Sequence, residues 1–562
     1  MTLYKNIGLA LLVNIYFIVL CLCFSHLRYG AIDDYFMAGL LSGIYGNDYN
    51  VHLVFVNAIY GYVLLPLYHL FPKISWYYIG ELASIFISLT LIVYFIICKI
   101  GHKWGVLLGL ALVSLCAKDF YVVLQFTQCA AALSAAGMFV ILSTIDSFQR
   151  FSKTTIISII IGILLLWWGS LMRWDAFLMG IPFFIAAMYF KTKQLKHVWS
   201  PILITLLITF VGAYSFHHFN TTLYQTPIYQ QFVDFQPFRV LLGDGAFYNE
   251  QAVYEDLQEL DSNSKDFDLL KKWFFYDNEI FTSEKTQTIT KLIDKYSFKP
   301  SFGALPVLLL QELSKIARFP FFIAWFLFGL ALVISTRKKT VVLWISLFIF
   351  LAALSYLLSL NRVVYRVQTG LLFYAAIMVS AFWDNMPKIS SKVFYSVVIL
   401  FLIVSGLFYY NSKNIYRSPN NGDFAEMTTV LAGNGYKELF QFMEAKPDSV
   451  LFVTPMSTYM KFSDYRLPPY LNEAKGSWQR IVPTGYWTPY YPDVEKSFRE
   501  RGMTNPMKDV VKDNVLYISD IKRGVLLVDF LKEHYFDSVR VDTVERFGDV
   551  SVLKYSVIEE KP

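Results

Sequence analysis

The stretch "LRYGAIDDYFMAGLLSGIYGNDYN", residues 27 to 50, puts two adjacent carboxylates, Asp33 and Asp34, just beyond the first long apolar run of the chain. Other charges sit beside later apolar runs: Lys118 and Asp119 in "SLCAKDFYVVLQFTQCAAAL", Arg173 and Asp175 in "WWGSLMRWDAFLMGIP", Arg362 and Arg366 in "LSLNRVVYRVQTGLLF". A carboxylate at a membrane surface can take a proton from a hydroxyl, and an arginine can grip a phosphate through two parallel hydrogen bonds. Arg362 and Arg366 are four apart, so they share a face if the loop continues a helix; with Tyr365 they read as a lipid-phosphate clamp or as headgroup anchors. Plainer readings stand beside the others. Asp33 as an N-cap with Asp34 in the first helical turn would serve backbone N–H groups and the helix dipole. Lys118 and Asp119 would make an interfacial ion pair, Arg173 beside Trp174 a headgroup anchor, and Gln125 and Gln128 helix-to-helix hydrogen bonds.

These charges stand out because charge is scarce. Hydrophobic residues make up 56% of the 562 and charged residues 16%, with a mean hydropathy of +0.44, which excludes a soluble globular protein and indicates a polytopic α-helical membrane protein. The formal net charge of +6 is carried largely in short basic clusters between apolar runs, which reads as topology; no nucleic-acid partner is expected. Cys21, Cys23, Cys98, Cys116 and Cys129 lie in or beside apolar segments without metal-ligand spacing, so neither a disulfide framework nor a metal centre is indicated. The segment 7 to 24 follows Lys5 but lacks an A-x-A cleavage site and reads as a retained anchor.

Spans of roughly 20 residues fit at 7 to 24, 51 to 71, 76 to 98, 104 to 117, 124 to 145, 155 to 172, 174 to 190, 199 to 217, 319 to 336, 341 to 359, 369 to 383 and 393 to 410. Twelve crossings would place Lys99 and Lys103, Arg150 and Lys153, and Lys191, Lys193 and Lys196 outside, against the positive-inside rule. The stretch 51 to 71, with His52, Asn57, Pro66 and His69, is the weakest and is read as a surface segment. About eleven transmembrane helices remain, with the N-terminus inside, the C-terminus outside, and all four charged pairs on the outer face.

The outer loop 218 to 302 carries amphipathic helical stretches, "NEQAVYEDLQEL" and "KDFDLLKKWFFYD", and is expected to be an ordered cap over a membrane domain of residues 1 to 410. From 411 to 562 charges and prolines rise and apolar runs shorten to strand length, as in "SVLFVT", "NVLYIS" and "VSVLKYSV", with helical "GYKELFQFMEA" and "GVLLVDFLKEHYF" between them. This tail is expected to be a small extracytoplasmic α/β domain. Arg239 and Asp244 in the cap and "TGYWTPYYP" at 484 to 492 read as sugar contacts or as ordinary packing.

The first span, the acidic pair, a short surface helix at about 33 onward, a second apolar surface segment with "LLPLYHLF" ending at Pro72, and a next span closing on basic residues resemble the C-type glycosyltransferases (GT-C fold). These are polyprenyl-phosphate-sugar-dependent enzymes that include protein O-mannosyltransferases and aminoarabinose transferases. The resemblance covers residues 1 to about 217 and, more weakly, the rest. It implies that an acid of the first outer loop is the catalytic base, which maps onto Asp33 with Asp34 left open. "RWD" at 173 to 175 looks like the family's R-P-E stretch, with Trp174 and Asp175 replacing Pro and Glu. The oligosaccharyltransferase branch binds a divalent metal through a second acidic motif near the position of Asp119; many members work without one, and no cofactor is expected here, with a divalent metal left as the alternative. The resemblance thus implies an inverting transferase at the outer face of a cytoplasmic, bacterial membrane. It would move a sugar from a polyprenyl-phosphate donor to a hydroxyl of a cell-envelope glycan, glycolipid or protein. Arg173, Arg362, Arg366 and Lys118 would hold the leaving phosphate, and Asp119, Asp175, Gln128, Arg239, Asp244 and Tyr365 would be substrate contacts. A polysaccharide polymerase or ligase, or a lipid-linked glycan flippase, are the alternatives; a flippase should carry ionisable groups deep in several spans.

Overall fold

In lipid the backbone must satisfy its own hydrogen bonds, so the long apolar runs become helices. The computed structural model describes residues 2–45, 48–145, 152–192, 199–243, 247–259, 264–274, 276–298, 300, 303–336, 339–384, 386–413, 415–426, 435–460, 468–472 and 480–558. The membrane half begins with α1 (Thr2–Phe24), β1 (Arg28–Tyr29), α2 (Ile32–Ser42), α3 (Ala58–Leu70), α4 (Trp76–Ile100) and α5 (His102–Ala117). A π turn over Lys118–Val122 leads to β2 (Val123–Leu124), then α6 (Phe126–Thr144), α7 (Lys153–Met172), α8 (Trp174–Thr192) and α9 (Trp199–Leu223). The cap follows as α10 (Pro227–Gly243), α11 (Glu250–Glu259), α12 (Ser264–Lys271) and α13 (Ser283–Lys295). Five more helices return through the bundle: α14 (Leu305–Ile316), α15 (Pro320–Ser335), α16 (Val341–Ser359), α17 (Tyr365–Ser380) and α18 (Ser391–Asn411).

Among the described residues nine helices are long and apolar enough to cross a membrane, or ten if α14 and α15, bent by 85°, count as one span. The expected eleven is not reached. The difference lies in α15 and α17, each of 16 residues, or about 24 Å at 1.5 Å per residue against a hydrocarbon core of about 30 Å. Nearly every residue of α17 is buried, so its apolarity serves packing inside the bundle. The surface segment α3 has 13 residues with Pro66 inside it, short of a span. The cap starts later than 218, because α9 runs on to Leu223.

Helix α6 is the bundle's axis, buried along nearly its whole length. Its small residues let α7 approach until a Cβ on Gly137 would lie 2.7 Å from the Gly162 carbonyl, the close packing that small residues give helices in lipid. By contrast α18 exposes Tyr395, Ile399, Leu400, Ile403 and Leu407, an apolar surface suited to acyl chains. Contacts sort the turns into two ends. At one, Lys103 Nζ donates to the Ile389 carbonyl at 2.7 Å, Lys339 pairs with Asp384 at 2.8 Å, and Lys191 lies over the Phe382 ring at 5.9 Å. At the other, Arg28 donates to the Tyr416 hydroxyl at 3.1 Å, β1 pairs in parallel with β2, and the Tyr365 and Arg366 amides donate to Asn420 and Pro419 at 2.8 and 2.9 Å. Lys103 and Lys191, read as inside-facing, lie at the first end, and the charged pairs read as outside-facing lie at the second; Arg150, Lys193 and Lys196 lie outside the described residues.

The tail opens with a hairpin of β3 (Ile415–Arg417) and β4 (Phe424–Glu426). Then come α19 (Tyr436–Glu444), β5 (Leu451–Pro455), β6 (Ile481–Thr484), α20 (Pro492–Glu500), β7 (Val515–Ser519), α21 (Ile521–His534), β8 (Val539–Phe547) and β9 (Val550–Val557). The sheet order is β6-β5-β7-β9-β8, parallel from β6 to β7 and antiparallel from β7 to β8. Cap and tail interlock: Tyr490 packs on Phe235 at 4.9 Å, Tyr491 on Phe232 at 5.2 Å, and Tyr535 donates to Asp277 at 2.7 Å.

Candidate active site

Neither acid of the opening pair caps α2. The N-cap is Ala31, in extended conformation and without a side-chain bond, so Asp33 and Asp34 are both first-turn residues favoured by the helix dipole. Successive residues of a helix point about 100° apart, which separates their surroundings. Asp34 is completely buried; its Oδ1 accepts from the Tyr77 hydroxyl at 3.2 Å and the Phe126 amide at 3.3 Å. Its carboxyl lies against Glu81 of α4, also completely buried. Burial first, and then the charge of Asp33, push the Asp34 pKa up to about 8. Glu81 is the residue the sequence reading passed over. A lone Glu inside the apolar run "WYYIGELASIFIS" was its signal, since an ionisable group within a span is expensive.

Asp33 is half-buried and accepts from the Trp487 indole N–H of the tail at 2.6 Å. From there a continuous file of rings and cations runs along the bundle end. Phe55 meets Trp487 edge-on at 4.3 Å, and the Arg173 guanidinium lies 4.9 Å over Phe55 and 5.6 Å over Phe126. Phe126 stacks in parallel with Phe55 at 5.7 Å and gives its amide to Asp34. Arg173 pairs with Asp175 at 3.0 Å, with Asp175 mostly in solvent. Desolvation draws the Arg173 pKa down; Asp175 and Asp33 oppose this, and Arg366 and Arg362 add to it. Arg173 therefore lies within electrostatic reach of Asp33, Arg362 and Arg366.

The remaining expected residues divide. Arg239, 2% exposed, lies 3.2 Å over Trp487 and donates to Gln236 at 3.0 Å, so the cap reaches the ring that holds Asp33. Gln128 is buried in the first turn of α6, its amide bonded to the Gln125 side chain that caps the helix. Asp119 accepts from the Tyr365 hydroxyl at 2.9 Å, and Lys118 donates to the Ser412 carbonyl and hydroxyl and to the Ile415 carbonyl at 3.1 Å. These three side chains tie the π turn to α17 and to the start of the tail. Arg362 and Arg366 do not share a helical face: α17 begins at Tyr365, and Asn361 has φ 53° in the turn before it. Arg362 is exposed, while Arg366 bonds Asn420. Asp244 lies outside the described residues. Among those residues no three His, Cys, Asp or Glu side chains gather together, and the neighbour of Asp119 is Tyr365.

A half-buried carboxylate beside a cluster of guanidinium groups, at one end of a bundle whose sides are apolar, can take a proton and stabilise phosphate charge in the same place. The chain is a polytopic helical membrane protein with such a centre at one end. It is similar to ArnT from Cupriavidus metallidurans in the apo state, at 11% identity over 98% of this chain and 97% of that one, with a TM-score of 0.42. ArnT bound to undecaprenyl phosphate gives 12% identity over 99% and 98%, with a TM-score of 0.39. The oligosaccharyltransferase of Archaeoglobus fulgidus in the apo form gives 10% identity over 99% of this chain and 75% of that one, with a TM-score of 0.41. No family model matches the chain, and no curated protein matches it.

Proposed function

We propose that this protein is an inverting glycosyltransferase. It moves a sugar from a polyprenyl-phosphate donor to a hydroxyl of a cell-envelope glycan, glycolipid or protein at the outer face of a cytoplasmic membrane. The observation that carries this reading is that Arg173 at one bundle end feels the charge of Asp33 on one side and of Arg362 and Arg366 on the other. Asp33 accepts the acceptor's hydroxyl proton, the oxygen attacks the anomeric carbon, and the bond from that carbon to the phosphate oxygen breaks with its electron pair leaving on phosphate. The three guanidinium groups take up the developing charge. Asp34 holds a proton near neutral pH because of its burial, so the base of the pair is assigned to Asp33, which is only half-buried. Orientation follows from the basic clusters at the opposite end, which belong inside.

Mass spectrometry of the lipid retained by purified protein tests the reading: a polyprenyl phosphate carrying one sugar is the expected species. A retained pyrophosphate-linked oligosaccharide would point to a polymerase or ligase instead, and the absence of any polyprenyl phosphate would remove the proposal. Arg173→Lys keeps the charge and loses the fork, so kcat/KM should fall by about 2 kcal/mol, roughly thirtyfold, with donor lipid still bound. Unchanged turnover in Arg173→Lys and Arg173→Ala would return Arg173 to the role of an anchor over Phe55.

A further inference from the structure

The β3–β4 hairpin lies at the level where helices leave the bilayer, because both of its ends rest on helix ends. Helix α18 ends at Asn411 with Phe408 and Tyr410 still exposed, and β3 begins at Ile415. Tyr410 meets Phe24, the last residue of α1, at 5.7 Å. The second support is the break between α14 and α15: Arg417 donates to the Gly422 carbonyl at 2.9 Å and to the Arg318 carbonyl at 3.1 Å. There α14 is bent 85° from α15 and so runs across the bundle end, with Val307 and Leu310 exposed. The register sets Arg417 opposite Phe424, and Ile415 two residues before Arg417 shares their face. On that face Ile415 and Phe424 are exposed, Phe424 at 68%, and the Arg417 guanidinium lies 4.0 Å over the Phe424 ring. The other side is turned to the bundle: the Tyr416 hydroxyl accepts from Arg28 at 3.1 Å, and a Cβ on Gly422 would lie 2.5 Å from the Tyr365 ring at the start of α17. Cations surround the exposed face. Lys413, exposed, lies 5.6 Å over Tyr410, and Arg318 is exposed at the α14–α15 break. The two carbonyls hold Arg417 without neutralising it, and Asp423 on the connecting turn accepts from Asn421 at 2.7 Å. Exposed apolar groups with arginine and lysine beside them suit the boundary between acyl chains and headgroups, where each finds its own solvent.

We propose that the β3–β4 hairpin, with α14 beside it, docks on the bilayer surface: Ile415, Phe424, Val307 and Leu310 enter the headgroup layer, and Arg318, Lys413 and Arg417 hold the phosphates of anionic phospholipids. The partner is a lipid surface because the exposed apolar groups continue those of α18, which face acyl chains, and because the cations complement an anionic headgroup layer. Docking fixes the height of the tail over the membrane and, through the Tyr365 and Arg366 amides bonded to the hairpin turn, the start of α17. The inference stands apart from the transferase reading. Two measurements on the full-length protein test it. Phe424→Cys in a cysteine-free background, spin-labelled in nanodiscs of mixed phosphatidylcholine and phosphatidylglycerol, should be relaxed more by oxygen than by a water-soluble nickel chelate. Val544→Cys, exposed on β8, should show the reverse. Wild-type protein released from the same nanodiscs into native mass spectrometry should retain phosphatidylglycerol over phosphatidylcholine by at least about fivefold, the effect of one basic residue at an anionic surface. Arg318→Gln and Lys413→Gln, at exposed side chains, should keep the melting temperature and each lower that ratio, the double variant most. Nickel access at 424 equal to that at 544, a label at 424 shielded from both reagents as by a protein neighbour, no lipid preference in the wild type, or a preference untouched in the double variant overturns the proposal. Retained polyprenyl phosphate has its own mass and bears only on the transferase reading.

Discussion

Asp33→Asn is expected to fold, to retain donor lipid, and to lose about a hundredfold or more in transfer. The substitution keeps the side chain's shape and an oxygen that can accept from the Trp487 indole, so the link between α2 and the tail survives. It removes the basic electron pair. Because Asp33 is not the N-cap of α2, helix stability depends little on it beyond a dipole contribution of about 0.3–1 kcal/mol. Trp487→Phe provides the control, removing the donor to Asp33 while leaving the carboxylate; its turnover should fall far less. Transfer assays on purified variants normalised to folded protein decide the matter, and near wild-type turnover by Asp33→Asn would end the assignment of Asp33 as base.

The second large effect concerns stability against pH. In the unfolded chain Asp34 titrates near 3.8, and in the fold near 8, so between those values the folded protein binds a proton that the unfolded chain has released. Stability must then fall as pH rises through that window, by on the order of 5 kcal/mol if Asp34 acts alone. The groups around it are Asp33 on its own helix, Glu81 and Tyr77 on α4, and the Phe126 amide on α6. Asp34→Asn should flatten the dependence and leave the variant the more stable protein at pH 8, with transfer near the wild-type rate. Thermal unfolding followed across pH 4 to 8 measures this, and a wild-type protein equally stable over that range would contradict the buried, protonated Asp34. The pair of predictions separates two adjacent acids by role: Asn is costly at 33 and stabilising at 34.

Sequence and structure divide this protein along recognisable physical lines. The apolar runs are legible because a span must hide its backbone in helix and its surface in lipid, so α1, α4 through α9, α16 and α18 follow from composition alone. Charges such as Asp33 and Arg173 are legible as candidates for the same reason, since charge at a membrane edge is rare enough to need a cause. The tail's strands β5, β7 and β9 are buried runs of strand length, whereas β8 escaped notice because its exposed middle alternates weakly.

What tertiary structure alone decides is which partners those residues meet. Trp487 lies 454 positions from Asp33, and no local pattern encodes that bond. Arg362 and Arg366 have helical spacing, yet the hairpin backbone at Pro419 and Asn420 captures the amides that begin α17 and ends the shared face before it forms. The division between Asp33 and Asp34 is decided the same way. Adjacent residues of one type carry equal chemistry in sequence, and only the packing of α4 and α6 over Asp34 raises its proton affinity while its neighbour is left half-buried.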